Sequence, residues 1–196
     1  MKISIITPTW MRHELLLNRC IPSVAAQTVP VEHIIVSDGP DPELRELLHG
    51  MDVVYGEVDQ HHDDPIKVGS RARNHGLDMA SGDLIGYLDD DNAFRPHHAE
   101  LLRKALDAYP DRDFAYSRMF RHGLNDEVGA EPPQYGTIDS SIIMQRADTH
   151  LRFGWWPVPS EYAVDWQLVE SWLKAGAIWL FVPEVTVDYY MRPEQL

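Results

Sequence analysis

Three consecutive carboxylates, Asp89-Asp90-Asp91, end the apolar run Asp83 to Leu88. Ligands of open α/β sheets bind beyond the carboxyl ends of strands, where this triplet falls. On extended backbone Asp89 and Asp91 would face one way and Asp90 the other. Two such carboxylates ~5 Å apart repel by roughly 3 kcal/mol at an effective dielectric of 20. A hard divalent cation removes that cost, and oxygen ligands select Mg²⁺, Mn²⁺ or Ca²⁺. The plainer use of the triplet is a solvated acidic turn capping a helix after Asn92.

Lys67, Arg71 and Arg73 surround Gly69-Ser70 at a helix start. Free backbone N–H groups at a positive helix end, with cations beside them, suit a diphosphate. Surface ion pairs with Asp63, Asp64 and Asp78 explain the same residues, and taken alone explain them better. Asp38, in Ser37-Asp38-Gly39, could accept from a ribose or base, or make an Asx turn. Thr7, Pro8 and Thr9 end the first strand and would line the same crevice. Asp165 could serve as a general base if it keeps its charge, although its local sequence favours a helix N-cap. Trp155 and Trp156 could stack on sugar rings, but core packing is the commoner use of large aromatics. No G-x-G-x-x-G follows the first strand, which argues against NAD or FAD.

The elements that must position these groups alternate. Strands are expected over Lys2–Thr7, His33–Ser37, Asp52–Val58 and Asp83–Leu88. Between them lie helices at Arg12–Gln27, with Pro22 as a kink, at Asp41–Gly50, with Asp41 as N-cap, and at Gly69–Ala80. A helix over Pro96–Tyr109 follows, then strands within Asp113–Gln145 around a loop at Leu124–Pro133. A helix at Asp165–Ala175 and two short strands, Ile178–Val182 and Val185–Tyr190, end the pattern. Alternation of this kind implies a mostly parallel sheet covered by helices, with a mixed edge.

At 196 residues the chain suits one domain with a core of its own. Its 17 Lys+Arg against 31 Asp+Glu give a net charge of −14, which weighs against a nucleic-acid partner. The single cysteine, Cys20, excludes an intramolecular disulfide and a Cys-cluster metal site. No apolar run approaches the ~20 residues of a membrane span, and the N-terminus reads as a strand, not a secretory signal. The expectation is a soluble, cytoplasmic, single-domain protein of unreadable oligomeric state.

Taken in order, ISIITPTWMR, IIVSDG, GSRARNHGLDMASGDLIGYLDDDN and VDWQLVESWLKAG resemble the family 2 glycosyltransferases of the GT-A fold. The resemblance runs from about Lys2 to Arg192 and is most specific from Gly69 to Asn92. It implies an α/β GT-A domain, a mostly parallel mixed sheet flanked by helices. A nucleotide-sugar half would occupy about 1–92 and an acceptor half about 93–196. Thr7, Pro8 and Thr9 would border the nucleotide, Asp38 its base or ribose, and Asp89 and Asp90 would lie beside it. Arg71 or Lys67 would meet the diphosphate. Asp89 and Asp91 match the D-x-D pair that holds Mn²⁺ or Mg²⁺, with Asp91 the direct ligand, and Asp165 matches the catalytic base. The Ile138–Met144 strand, with Trp155 and Trp156, would flank the acceptor.

The implied reaction is inverting transfer from a nucleoside-diphosphate sugar to a hydroxyl acceptor, with UDP as the family's commonest donor nucleotide. Three features depart from the pattern. Asn92 and Val164 stand where acids are common, and the C-terminal strand offers Tyr189, Tyr190 and Arg192 but no histidine. A nucleotidyltransferase and a non-catalytic nucleotide-sugar or metal-binding module are the alternatives. The first would usually show a Gly-rich basic loop after the first strand, and Thr7-Pro8-Thr9-Trp10 is not one. A nucleic-acid glycosyltransferase is disfavoured by the charge.

Overall fold

The computed structural model describes residues 1–61, 69–158 and 163–191. β1 (Ile3–Thr9) has no charged residue and every position is buried, as a strand covered on both faces requires. It pairs in parallel with β2 (Glu32–Ser37) on one side and β4 (Leu84–Tyr87) on the other, and β2 pairs in parallel with β3 (Val54–Glu57). Beyond β4 the directions mix. β8 (Ile143–Arg146) runs antiparallel to both β4 and β6 (Phe114–His122), and β9 (Trp179–Tyr190) runs parallel to β6. Short β5 (Ala93–Phe94) closes the edge against β9, and β7 (Asp126–Val128) folds back on β6. The order is β3-β2-β1-β4-β8-β6-β9-β5. Strands β1 to β4, β6 and β9 point one way, so this is the mostly parallel mixed α/β sheet that the alternation predicts.

Helices cover it. The first, α1, runs through residues 13–25 in three pieces, His13–Leu15, a π-helical turn Leu16–Cys20, and Ile21–Ala25. Pro22 offers no N–H to the carbonyl four residues back and its ring crowds that carbonyl. The expected kink is taken up by widening the preceding turn. α2 (Pro42–Leu47) starts as its sequence predicts, with Asp41 accepting from the Leu44 N–H at 2.9 Å. α3 (Ser70–Met79) turns Ala72, Arg73, Gly76 and Leu77 inward. α4 (His98–Ala108) buries Ala99, Leu102 and Leu106. After a short α5 (Thr149–Phe153), α6 (Val164–Lys174) buries Leu168, Val169 and Trp172, the last against Phe114 at 5.4 Å between ring centres. Each large apolar side chain so buried contributes about 1.5–3 kcal/mol.

Two local expectations are corrected. The two C-terminal strands are one, β9, whose register against β6 slips between Phe181 and Val185. Pro183 falls inside that irregularity, where a missing ladder N–H costs nothing. Residues 138–144 are not one strand. Asp139 accepts from the Ser141 N–H at 2.8 Å and opens a 3₁₀ turn, Ser140–Ile142, before β8 begins. Side-chain oxygens in Asp139-Ser140-Ser141 compete with the ladder for backbone donors. No helix among the described residues is long and apolar enough to cross a membrane.

Candidate active site

β1 lies between β2 and β4, so Thr9-Trp10, Asp38 and Leu88 to Asp91 converge at one end of the sheet. Pro8, Thr9, Trp10, Arg12, Asp38, Gly69, Arg73, Asp89, Asp90, Val164 and Asp165 line a crevice there. Thr7 does not join it. Its hydroxyl lies inside the fold, 2.9 Å from His33 Nε2 and 3.4 Å from the buried Cys20 Sγ. Burial holds His33 down at about 3, so that ring is neutral.

The aspartate triplet does not alternate as extended backbone would. β4 ends at Tyr87, and Asp90 and Asp91 lie in a turn closed by the Asn92 N–H to the Asp89 carbonyl at 3.1 Å. Asp90 and Asp91 therefore meet the same cation. Arg12 Nη1 lies 3.1 Å from Asp90 Oδ1 and 2.7 Å from Asp91 Oδ2. Thr9 Oγ1 donates to Asp90 Oδ2 at 2.6 Å. Burial pushes Asp90 up to about 7, against Arg12 and Thr9, with Asp91 and Asp89 adding to the rise. Arg19, carried on the π-helical turn, donates to the Asp91 carbonyl at 2.5 Å and lies 3.8 Å over the Tyr190 ring. Asn92 accepts from the Tyr190 N–H at 2.9 Å and is fully buried. It anchors β9 to this turn and leads into β5 rather than a helix.

Asp89 meets a different cation, Arg73, at 2.6 Å. Arg73 also donates to Ser140 Oγ at 3.2 Å and lies 4.7 Å over the Trp156 ring. Only 4 % of it is exposed, and its Nε and Nη1 have no hydrogen-bond partner among the described residues. Gly69, at φ +89°, makes this possible, since a Cβ there would sit 2.5 Å from Arg73 Nη1. Arg71 is exposed on the outer face of α3 and does not line the crevice. Lys67 lies outside the described residues. Trp156 is core, edge-on to Tyr87 at 5.0 Å, whereas Trp155 is partly exposed against His150.

Asp165 sits in the first turn of α6, and no side chain caps that helix. It is half-buried, with Oδ1 enclosed and unpartnered. Burial raises its pKa, Arg73 opposes the rise, Asp89 adds to it, and the backbone N–H groups of Asp165 and Ser140 oppose it. Asp139, absent from the sequence reading as a site residue, faces the same centre. Burial raises its pKa, Asp165 and Asp89 raise it further, and the backbone and side chain of Ser141 oppose the rise. Arg73 favours the charged form of both and acts more strongly on Asp165, so Asp165 is the readier of the two to ionise. Two carboxyl groups of raised pKa thus face Arg73 and Asp89. Among the described residues no three His, Cys, Asp or Glu side chains converge as a metal cage would require.

Residues 4–161 match the family model described as glycosyl transferase family 2. A glycosyltransferase of Bacillus subtilis, YwdF, is 33% identical over 143 residues, covering 68% of this chain and 47% of that protein. The glucosyl-dolichyl phosphate glucuronosyltransferase of Haloferax volcanii is 29% identical over 116 residues, 57% of this chain and 36% of its own. The chain thus spans less than half the length of these relatives. In structure it is similar to S. aureus TarS in complex with UDP-GlcNAc, with a TM-score of 0.76 at 16% identity, over 98% of this chain and 59% of that one.

Proposed function

The chain belongs to glycosyl transferase family 2, and from that premise we propose that it moves a sugar from a UDP-sugar to an acceptor hydroxyl with inversion at the anomeric carbon. The observation that carries this reading is the buried Arg73, held between Asp89 and Ser140 with N–H groups unpartnered among the described residues, in the crevice that Asp165 also lines. The solved relative binds UDP and UDP-GlcNAc, which supports uridine as the donor nucleoside.

In this reading Asp165 accepts the proton of the acceptor hydroxyl as that oxygen attacks the anomeric carbon. The bond to the diphosphate breaks on the opposite side, and its electron pair stays on the phosphate oxygen. Arg73 lends its positive charge to that growing charge from the wall of the crevice it lines. A general base works best with a pKa near the operating pH, which the burial of Asp165 favours. Asp139, when protonated, can donate a hydrogen bond where Asp165 accepts one.

Asp89 and Asp91 would hold Mn²⁺ or Mg²⁺. The donor set fits, because such ions take one or two carboxylates and fill the rest of their shell with substrate phosphates and water. When bound, the ion supplies positive charge to the leaving diphosphate.

The test is thermal unfolding with UDP, GDP, CDP and dTDP, each with Mn²⁺ and with a chelator. A ligand at 100 times its dissociation constant stabilises by about 2.7 kcal/mol, several degrees for a domain of this size. A shift with UDP that needs Mn²⁺ is expected. Unchanged melting with all four nucleotides would sink the reading.

A further inference from the structure

The crevice has two chemically distinct ends. Arg73 and the aspartates supply charge at one, while Trp10 and Asp38 supply an aromatic face and a hydrogen-bond acceptor at the other. If the crevice takes a nucleoside diphosphate, as proposed above, the flat base with its N–H donors belongs at the second end.

Behind that end stands His61, which is not among the residues lining the crevice. Its ring lies 4.3 Å from that of Trp10 at an interplanar angle of 8°. Its Nδ1 is 3.0 Å from both the Asp38 carbonyl oxygen and Asp38 Oδ2. A backbone carbonyl can only accept, so Nδ1 carries the hydrogen and donates to both oxygens of Asp38. One ring thus braces an aromatic plane and orients a carboxylate. Gly39 lets the three residues close up, since at φ +139° a Cβ would lie 2.8 Å from Trp10 Cζ3 and 2.9 Å from the His61 backbone nitrogen.

We propose that His61 is a positioning residue for the nucleobase, making Trp10 and Asp38 one preformed unit that receives the base. Neither group then has to be ordered when the ligand arrives, and that saving appears as affinity. Its effect is confined to the base and does not reach the diphosphate end. The two halves of the contact separate by substitution. His61→Phe keeps a ring for Trp10 and gives up the donor, and His61→Asn keeps a short polar group and gives up the ring.

The experiment titrates wild type, His61→Ala, His61→Phe and His61→Asn with UDP and, separately, with inorganic pyrophosphate, both in Mn²⁺. Melting temperature is recorded for each variant. His61→Ala should weaken UDP about tenfold or more, leave pyrophosphate binding within about twofold and melt as wild type does. His61→Phe should recover part of the UDP affinity through the stack. Equal UDP affinity in wild type and His61→Ala overturns the role of His61 alone. So does parallel loss of UDP and pyrophosphate, which would report collapse of the whole crevice. A wild type that binds pyrophosphate but not UDP overturns both the role and the uridine reading beneath it.

Discussion

The two ends of strands β1, β2 and β4 treat their carboxylates in opposite ways. At the amino-terminal rim, Glu32 accepts from Lys2 Nζ at 2.8 Å, Ser4 Oγ at 2.5 Å, the Ser81 N–H at 3.0 Å and Ser81 Oγ at 2.6 Å. Burial alone would raise its pKa, but the donors of Lys2, Ser4 and Ser81 outweigh it and hold the carboxyl at about 2. At the carboxyl ends the balance reverses. Burial dominates for Asp165 and Asp139, each feels a neighbouring carboxylate, and both are pushed up. A carboxylate surrounded by donors adds to stability. One enclosed without enough of them costs stability and gains basicity in return. The rim fastens the strand starts, and the crevice holds its charges in readiness for chemistry.

That contrast is broken most severely at Asp165. Asp165→Asn should cut sugar transfer by about 10²- to 10⁴-fold while the UDP-dependent melting shift persists. In wild type the rate should fall with acid at a midpoint above the ordinary carboxylate range, because Asp165 has to be ionised. Near-normal turnover in the variant would return Asp165 to a structural role.

Next in size is Arg73. Arg73→Met strips the buried countercharge from Asp89 and should cost about 2–3 kcal/mol in denaturant unfolding. That is below the usual loss for a fully buried pair, since Asp89 keeps some contact with water. UDP affinity should fall with it. Adding Asp89→Leu should restore part of the stability but none of the binding, and a double variant no more stable than the single would contradict the pairing.

Asp139→Asn sharpens the comparison through pH. The folded pKa of Asp139 lies above the unfolded value of about 3.9, so the fold loses stability as pH rises from the unfolded pKa to the folded one. The variant should therefore melt higher than wild type, by more at pH 8 than at pH 5. An equal gain at both would remove the assignment.

The smallest effect is expected at the rim. The folded pKa of Glu32 lies below its unfolded value of about 4.3, so its contribution is present above that pH and fades as pH falls toward 2. Glu32→Gln should lower the melting point modestly at pH 7, since its partner Lys2 is half in water. The difference should shrink below about pH 4.3. A difference that persisted at pH 2 would mean that shape, not charge, is what Glu32 supplies.

Much of this was legible from the residues. Alternating runs mark β1 to β4, Asp41 marks the start of α2, and Asp38, Asp89 and Asp90 line the crevice as their strand-end positions imply, whereas Asp91 turns to Arg12 beside it. The expected Arg71 gives way to Arg73, and a signal for that lay in the sequence. Ala72, Arg73, Gly76 and Leu77 form one helical stripe, and Arg71 lies off it. What could not be read depends on contacts far apart in the chain. Arg12 meets Asp91 across 79 positions, and Arg73 meets Ser140 across 67. Locally, Asp139 in Ile138-Asp139-Ser140-Ser141 signals only a cap, which it also is. The turn at Asp90 and Asp91 undid the alternation because their shared cation, Arg12, comes from another segment, where no rule of spacing within the triplet could find it.

Cys20 gives the sheet a clock. It is the chain's one thiol, it has no exposed surface, and burial drives its pKa far above the ordinary thiol range. A disulfide reagent reacts with thiolate, so the native chain should be nearly inert to it. Each molecule that does react will first have parted α1 from β1. The rate of labelling in dilute reagent therefore measures how often the covering helix lifts, and a bound ligand that grips Arg19 or Arg12 should slow it without touching the sulfur.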